Sequence, residues 1–83
     1  MSHAPHDARM FKVLSGVLGK SVEEVARLAE RQEPHGESFW DSLQHINIIL
    51  GLEAEFGIRF ELLEAVDLKT VPLIRTKLAA LIR

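Results

Sequence analysis

An all-α fold is what the sequence predicts: an antiparallel bundle of three longer helices with one or two short ones and a long first loop. Three observations predict it. From Leu43 to Phe56 the apolar residues fall at Leu43, Ile46, Ile49, Leu50, Leu52 and Phe56, with Ile48 as an extra, which is helical spacing. Glycines stand where two such stretches stop, Gly19 after Leu18 and Gly57 after Phe56, matching the left-handed position that ends helices. No strand pattern and no internal repeat stands out.

Residues 1–6 are expected to fray, and the first helix to run from about Asp7 to Leu18. Asp7 is the expected N-cap, and Phe11, Leu14, Val17 and Leu18 form the apolar stripe. Ser21-Val22-Glu23-Glu24 has the spacing of a capping box, so a short helix follows with Val22, Val25, Leu28 and Ala29 inward. Gln32 to Phe39, containing Pro34-His35-Gly36, is the most loop-like stretch, with Phe39 or Trp40 anchoring it to the core.

The central helix then occupies Leu43 to Phe56. Ile58 to Phe60 is a short extended connection, and Glu61 to Asp67 reads as a single short helix carrying Leu62, Leu63 and Val66. Thr70 is the next N-cap and Pro72 sits in the first turn. Leu73, Ile74, Leu78, Leu81 and Ile82 supply the buried face of the last helix. Arg75, Lys77 and Arg83 read as its cationic end, which the helix dipole favours.

A chain of 83 residues makes one small domain, with no room for an enclosed substrate cavity plus a catalytic shell. Its 47% hydrophobic and 27% charged residues are those of an ordinary soluble globular protein. No apolar run is long enough to span a bilayer and Met1–Asp7 is too polar for a signal peptide, so a cytoplasmic location is expected. With no cysteine, disulfides, thiolate zinc sites and a protein-borne nucleophilic thiol are all excluded. A net charge of −2, with ten basic residues scattered along the chain, lacks the basic stripe that nucleic-acid binding requires.

Ser42 draws attention because it stands at the mouth of the central helix. A hydroxyl there lies near unpaired backbone N–H groups and the positive end of the macrodipole, where an esterified phosphate is well held. Asp41-Ser42-Leu43 taken alone is also a common helix-capping sequence. Asp41, Ser42 and His45 do not make a hydrolase, since an open bundle offers neither an oxyanion hole nor a substrate cleft. His45 reads instead as a solvated surface residue. His3, His6 and His35 have no third metal ligand.

Trp40-Asp41-Ser42-Leu43-Gln44-His45-Ile46, followed by Leu50-Gly51-Leu52-Glu53-Ala54-Glu55-Phe56-Gly57-Ile58-Arg59-Phe60, resembles the core signature of the acyl carrier proteins. In that family the serine of an Asp-Ser-Leu motif opens the second helix, which ends in a Leu-Glu-x-x-Phe-Gly-like run. Leu68-Lys69-Thr70-Val71 resembles the family's entrance to its last helix. The resemblance is strong from Trp40 to Ile82 and generic before that.

The resemblance implies an antiparallel four-helix bundle of acyl-carrier type, with three longer helices, a short third helix and a long first loop. Residues 1–83 would be one carrier domain, not an enzyme and a monomer. A phosphopantetheinyl transferase would move a 4′-phosphopantetheine arm from coenzyme A onto Ser42, giving the cysteine-free chain a thiol on which acyl or aminoacyl groups ride as thioesters. The implied partners are an acyl- or aminoacyl-activating enzyme and downstream condensing, reducing or transferring enzymes.

Asp41 then either caps the helix or helps organise the metal-bound complex with the transferase. Trp40 departs from the usual small residue at its position and reads as an aromatic anchor on the core. Leu43, Gln44, Ile46, Asn47, Leu50, Glu53 and Glu55 are the candidates for a partner-docking face, although Ile46 and Leu50 taken singly read as core. Gly51, mid-helix at about 1 kcal/mol relative to alanine, permits close packing of another helix or of the arm.

The family's fatty-acid members are more acidic on this helix. His45, Gln44 and Asn47 replace most of that charge here, which argues against a standard fatty-acid synthase partner set; the modest charge together with Trp40 points toward polyketide, modified-lipid or amino-acid-derived assembly. The alternative is a carrier-like bundle that is never modified and acts as a protein-protein interaction module.

Overall fold

The computed structural model describes residues 5–82, and among them all regular structure is helical. Five helices follow one another: α1 (Asp7–Leu18), α2 (Val22–Arg31), α3 (Ser42–Phe56), α4 (Leu62–Asp67) and α5 (Val71–Leu81). Met10, Leu14, Ile48, Leu52, Ile74 and Leu78 are its largest fully buried side chains, so α1, α3 and α5 meet in one core. Val25 and Ala29 bring α2 onto it. None of the described helices is long and apolar enough to cross a membrane.

Helix ends follow local chemistry. Gly19 and Gly57 both adopt left-handed geometry, at φ 68° and 64°. Ser21 accepts the Glu24 N–H at 3.1 Å, but the Glu24 carboxylate faces Lys20 at 3.6 Å instead of returning, so only half the expected capping box forms. Thr70 caps α5 as expected, accepting from the Leu73 N–H, while its own hydroxyl donates to the Pro34 carbonyl at 2.9 Å. The Gln32 side-chain oxygen accepts the Val71 N–H at 2.6 Å, so the connection between α2 and α3 is pinned to the start of α5 at two points. The ten-residue α2 stands where the short helix after Ser21 is expected, and the loop-like stretch from Gln32 to Phe39 follows it.

Asp7 is not a cap. His6 holds the N-cap position, without a side-chain cap hydrogen bond, and Asp7 is buried one residue inside α1. There it accepts from Arg75 Nε at 2.9 Å and Nη2 at 3.2 Å. A bidentate guanidinium offers two charge-assisted bonds where a cap offers one, so the cross-link to α5 wins. Lys77 likewise binds Glu64 of α4. Arg75 and Lys77 therefore tie helices together instead of forming a cationic helix end, and Arg83 lies outside the described residues. Residues 1–4 of the expected frayed stretch are also outside them, while the His6 ring packs edge-on against Phe56 at 5.6 Å.

The apolar stripe expected on α3 is displaced. Ile48, Ile49 and Leu52 are buried, whereas Leu43, Ile46 and Leu50 are 68%, 57% and 57% exposed. This helix is apolar on opposite sides, so periodicity alone does not choose its inner face. Val22 and Leu81, expected inside, are each 41% exposed at helix ends that overhang the core, and Leu28, Leu73 and Ile82 are half-buried.

At Gly51, α3 packs closely against α1. A Cβ there would stand 2.8 Å from Val13 Cγ1, so the partner in close packing is a helix. Alanine gains about 1 kcal/mol in helix propensity over glycine, but overpacking against a stiff β-branched side chain costs about 1–3 kcal/mol. Gly51→Ala is therefore expected to destabilise modestly. In a double-mutant cycle Val13→Ala is expected to relieve it, with a favourable coupling of about 1 kcal/mol by urea unfolding. Strict additivity of the two substitutions would contradict this packing.

Candidate functional site

The mouth of α3 is built by a reciprocal capping box. Asp41 Oδ1 accepts the Gln44 N–H at 2.8 Å, and Gln44 Oε1 accepts the Asp41 N–H at 3.1 Å. Ser42, the first helical residue, is exposed, and among the described residues its hydroxyl has no hydrogen-bond partner. Of the two hydroxyl- or carboxyl-bearing residues at this helix start, the aspartate satisfies the backbone and the serine is left over.

Trp40 and His45 hold the positions of a hydrophobic staple, one residue before the cap and four residues into the helix. Trp40 is buried, as its role of loop anchor requires, and its Nε1–H donates to His45 Nδ1 at 2.9 Å. The two rings lie nearly parallel, 15° apart, and Phe39 packs edge-on against Trp40. Ser38 steadies the loop by accepting the Trp40 N–H at 3.3 Å.

His45 is therefore not a solvated surface residue. It is half-buried, and its Nε2 meets the Ala65 carbonyl of α4 at 2.6 Å. An indole N–H only donates, so Nδ1 is the acceptor and Nε2 carries the proton that goes to Ala65. Both nitrogens are engaged, and neither is free to act as a base toward Ser42. The expectation failed because the ring's second partner lies 20 residues away. The staple spacing from Trp40 to His45 was the available signal.

Beside Ser42 an open cleft of about 440 Å³ runs between the α3 mouth and the end of α4. Trp40, His45, Ile46 and Val66 form its walls, and Ser42, Asp41 and Lys69 lie at its polar edge. Lys69 belongs to no salt bridge among the described residues. The α4 residues Leu62, Leu63 and Val66 are 79%, 80% and 56% exposed, and with Leu43, Ile46 and Leu50 they leave an unusual amount of apolar surface on neighbouring helices.

The polar residues considered for docking divide. Asn47 is exposed on the same side of α3 as Leu43, Ile46 and Leu50. Gln44 is engaged in the capping box. Glu53 is half-buried and accepts the Phe60 N–H at 2.9 Å, which fixes the turn leaving α3. Glu55 pairs with Arg9 at 2.9 Å. Arg9 also donates to the Glu55 carbonyl and lies over the Phe56 ring at 4.5 Å, so one α1 side chain closes the C-terminal end of α3.

The hydrogen bond from Arg9 holds the Glu55 carboxyl below the ordinary 4.5, and that from Lys77 does the same for Glu64. Carboxylates with depressed values stabilise the fold above the ordinary value and lose that contribution as pH falls through the depressed one. Melting temperature is therefore expected to decline as pH falls from about 5 through those depressed values. In the Glu55→Gln, Glu64→Gln double variant the decline should be shallower; an unchanged slope would contradict it.

Compared with protein-family models, with curated proteins and with solved structures, the chain matches none.

Proposed function

We propose that this chain is a carrier, with Ser42 as the attachment point for a 4′-phosphopantetheine arm. The single observation carrying the reading is an exposed serine hydroxyl at the first residue of α3, left without a partner because Asp41 does the capping. A group-transfer enzyme needs an unhindered hydroxyl outside the core, and this one also faces the positive end of a fifteen-residue helix. The bound arm supplies the thiol this chain lacks, on which acyl or aminoacyl groups are held as thioesters.

The residues present fit such a group. Ser42 would hold it covalently, and Lys69 at the cleft edge suits the single negative charge of a phosphodiester. Trp40, Ile46 and Val66 offer apolar walls to the chain beyond. Asp41 keeps the helix mouth in shape, and by the family resemblance also helps organise the metal-bound complex with the transferase. Since His45 has no free nitrogen, the base that takes the Ser42 proton is assigned to that transferase.

On this reading the five helices form an antiparallel bundle of acyl-carrier type, with α2 riding in the first connection and α4 as the short third helix. The monomer works in the cytoplasm between an acyl- or aminoacyl-activating enzyme and condensing, reducing or transferring enzymes. Leu43, Ile46, Asn47 and Leu50 make the docking face, and its lack of charge suits a polyketide, modified-lipid or amino-acid-derived pathway better than a standard fatty-acid one. Tethering raises the local concentration of the cargo at a docked enzyme.

Intact mass after incubation with coenzyme A and a broad-specificity phosphopantetheinyl transferase tests the reading. A gain of one phosphopantetheinyl unit is expected. No gain with several transferases would sink it and favour an unmodified interaction module, the second reading that the exposed Leu62 and Leu63 support.

A further inference from the structure

We propose that His45 is a proton-gated positioning residue: only its neutral, Nε2-protonated form ties Trp40 to α4, and a second proton opens the tie beside Ser42. The chain of bonds is continuous. Trp40 Nε1–H donates to Nδ1 at 2.9 Å, and Nε2–H donates to the Ala65 carbonyl at 2.6 Å. One imidazole thus joins the loop before α3, α3 itself and α4, and these are the elements that wall the cleft.

The tie tolerates one protonation state. A second proton has only Nδ1 to bind, and there it points at the indole N–H. Two donors then face each other, and a buried donor left without an acceptor is costly. Either the imidazolium turns away, which also releases the Ala65 carbonyl, or Trp40 leaves its seat; both break the bond between Trp40 and His45.

Few charges surround the ring. From its own helix Asp41 shares the cleft, and from the connection between α4 and α5 Lys69 does. These two are opposite in sign. On α4, Glu64 is bound to Lys77, and Asp67 lines a separate cavity with His35. The loop contributes Trp40 and Ser38, neither charged. No acid among these touches a ring nitrogen, so nothing there accepts the added Nδ1 proton in place of the indole.

The consequence for Ser42 rests on the carrier reading, but the tie itself does not. The chain has one tryptophan and no tyrosine, so its emission and its single indole N–H resonance report Trp40 alone. Lowering the pH of the full chain from about 8 to about 5, the range in which histidine changes charge, should move the indole proton upfield and alter the emission reversibly. His45→Gln keeps His6 and His35 but should abolish both changes. A wild-type indole signal that stays fixed across this range, or a transition that survives in His45→Gln, would overturn the proposal.

Should His45→Gln fail to fold, the wild-type imidazole nitrogen shifts decide. They must show the Nε2–H form at high pH, and the Nδ1–H form would be fatal. Transferase labelling at both pH values forms a separate arm, in which the initial rate is expected to depend on pH differently for wild type and for His45→Gln. Equal pH dependence in both would remove the link to Ser42, whereas no labelling at any pH would sink the carrier reading and leave the indole result standing.

Discussion

On the proposed carrier reading, Ser42→Ala is expected to abolish phosphopantetheinylation outright while leaving the fold intact, because the hydroxyl would be the acceptor and nothing else in the fold depends on it. The Asp41–Gln44 capping box satisfies the backbone at this helix start, and Ser42 has no hydrogen-bond partner among the described residues. Ser42 is exposed at the first helical position, so the variant should stay within about 0.5 kcal/mol of wild type. Asp41→Ala should do the reverse. It removes the acceptor for the Gln44 N–H, costs about 1 kcal/mol, and leaves the Ser42 hydroxyl present to be modified, if more slowly. Intact mass and urea unfolding of the two variants separate a residue that carries from one that caps. A labelled Ser42→Ala protein would move the attachment elsewhere and end the carrier assignment to this residue.

Leu52→Ala and Leu50→Ala should differ sharply, although they are like substitutions on one helix. Leu52 has no solvent contact, and Leu50, two residues away on the same helix, is 57% exposed. Emptying the Leu52 site costs about 2–5 kcal/mol in lost transfer energy and residual cavity. Native domains are stable by only about 0.05–0.15 kcal/mol per residue, so this is a large part of what an 83-residue chain possesses. The midpoint of urea unfolding should fall steeply. Leu50→Ala should stay within about 0.5 kcal/mol of wild type in urea unfolding, and on the proposed carrier reading its effect would appear in binding to a partner enzyme. Equal destabilisation by the two would mean that the inner face of α3 is other than described.

Read from residues alone, the helices were legible where local chemistry sets them. Gly19 and Gly57 stopped α1 and α3 by accepting positive φ, and Thr70 with Pro72 started α5 where expected. Asp41 and Ser42 fell on the correct side of a helix boundary for the same reason, since a cap is made within a span of four residues. Illegible were the pairs made across the fold. Asp7 reads as a cap until Arg75, 68 residues on, is seen to hold it. His45 reads as solvated until Trp40 and Ala65 are seen to occupy both nitrogens. Ile46 and Leu50 read as core until Ile48 and Leu52 take that place.

By itself, then, the sequence determined that this protein is helical, where its helices begin and end, and that a serine stands at the mouth of the longest. Those features depend on backbone groups and side chains within one or two turns of each other. Tertiary structure alone decided which side of α3 faces inward, that Gly51 admits α1, and that His45 fastens the α4 wall beside Ser42. An apolar helix with two usable faces has no local reason to prefer one, and only the shape and partners offered by the other helices break the tie.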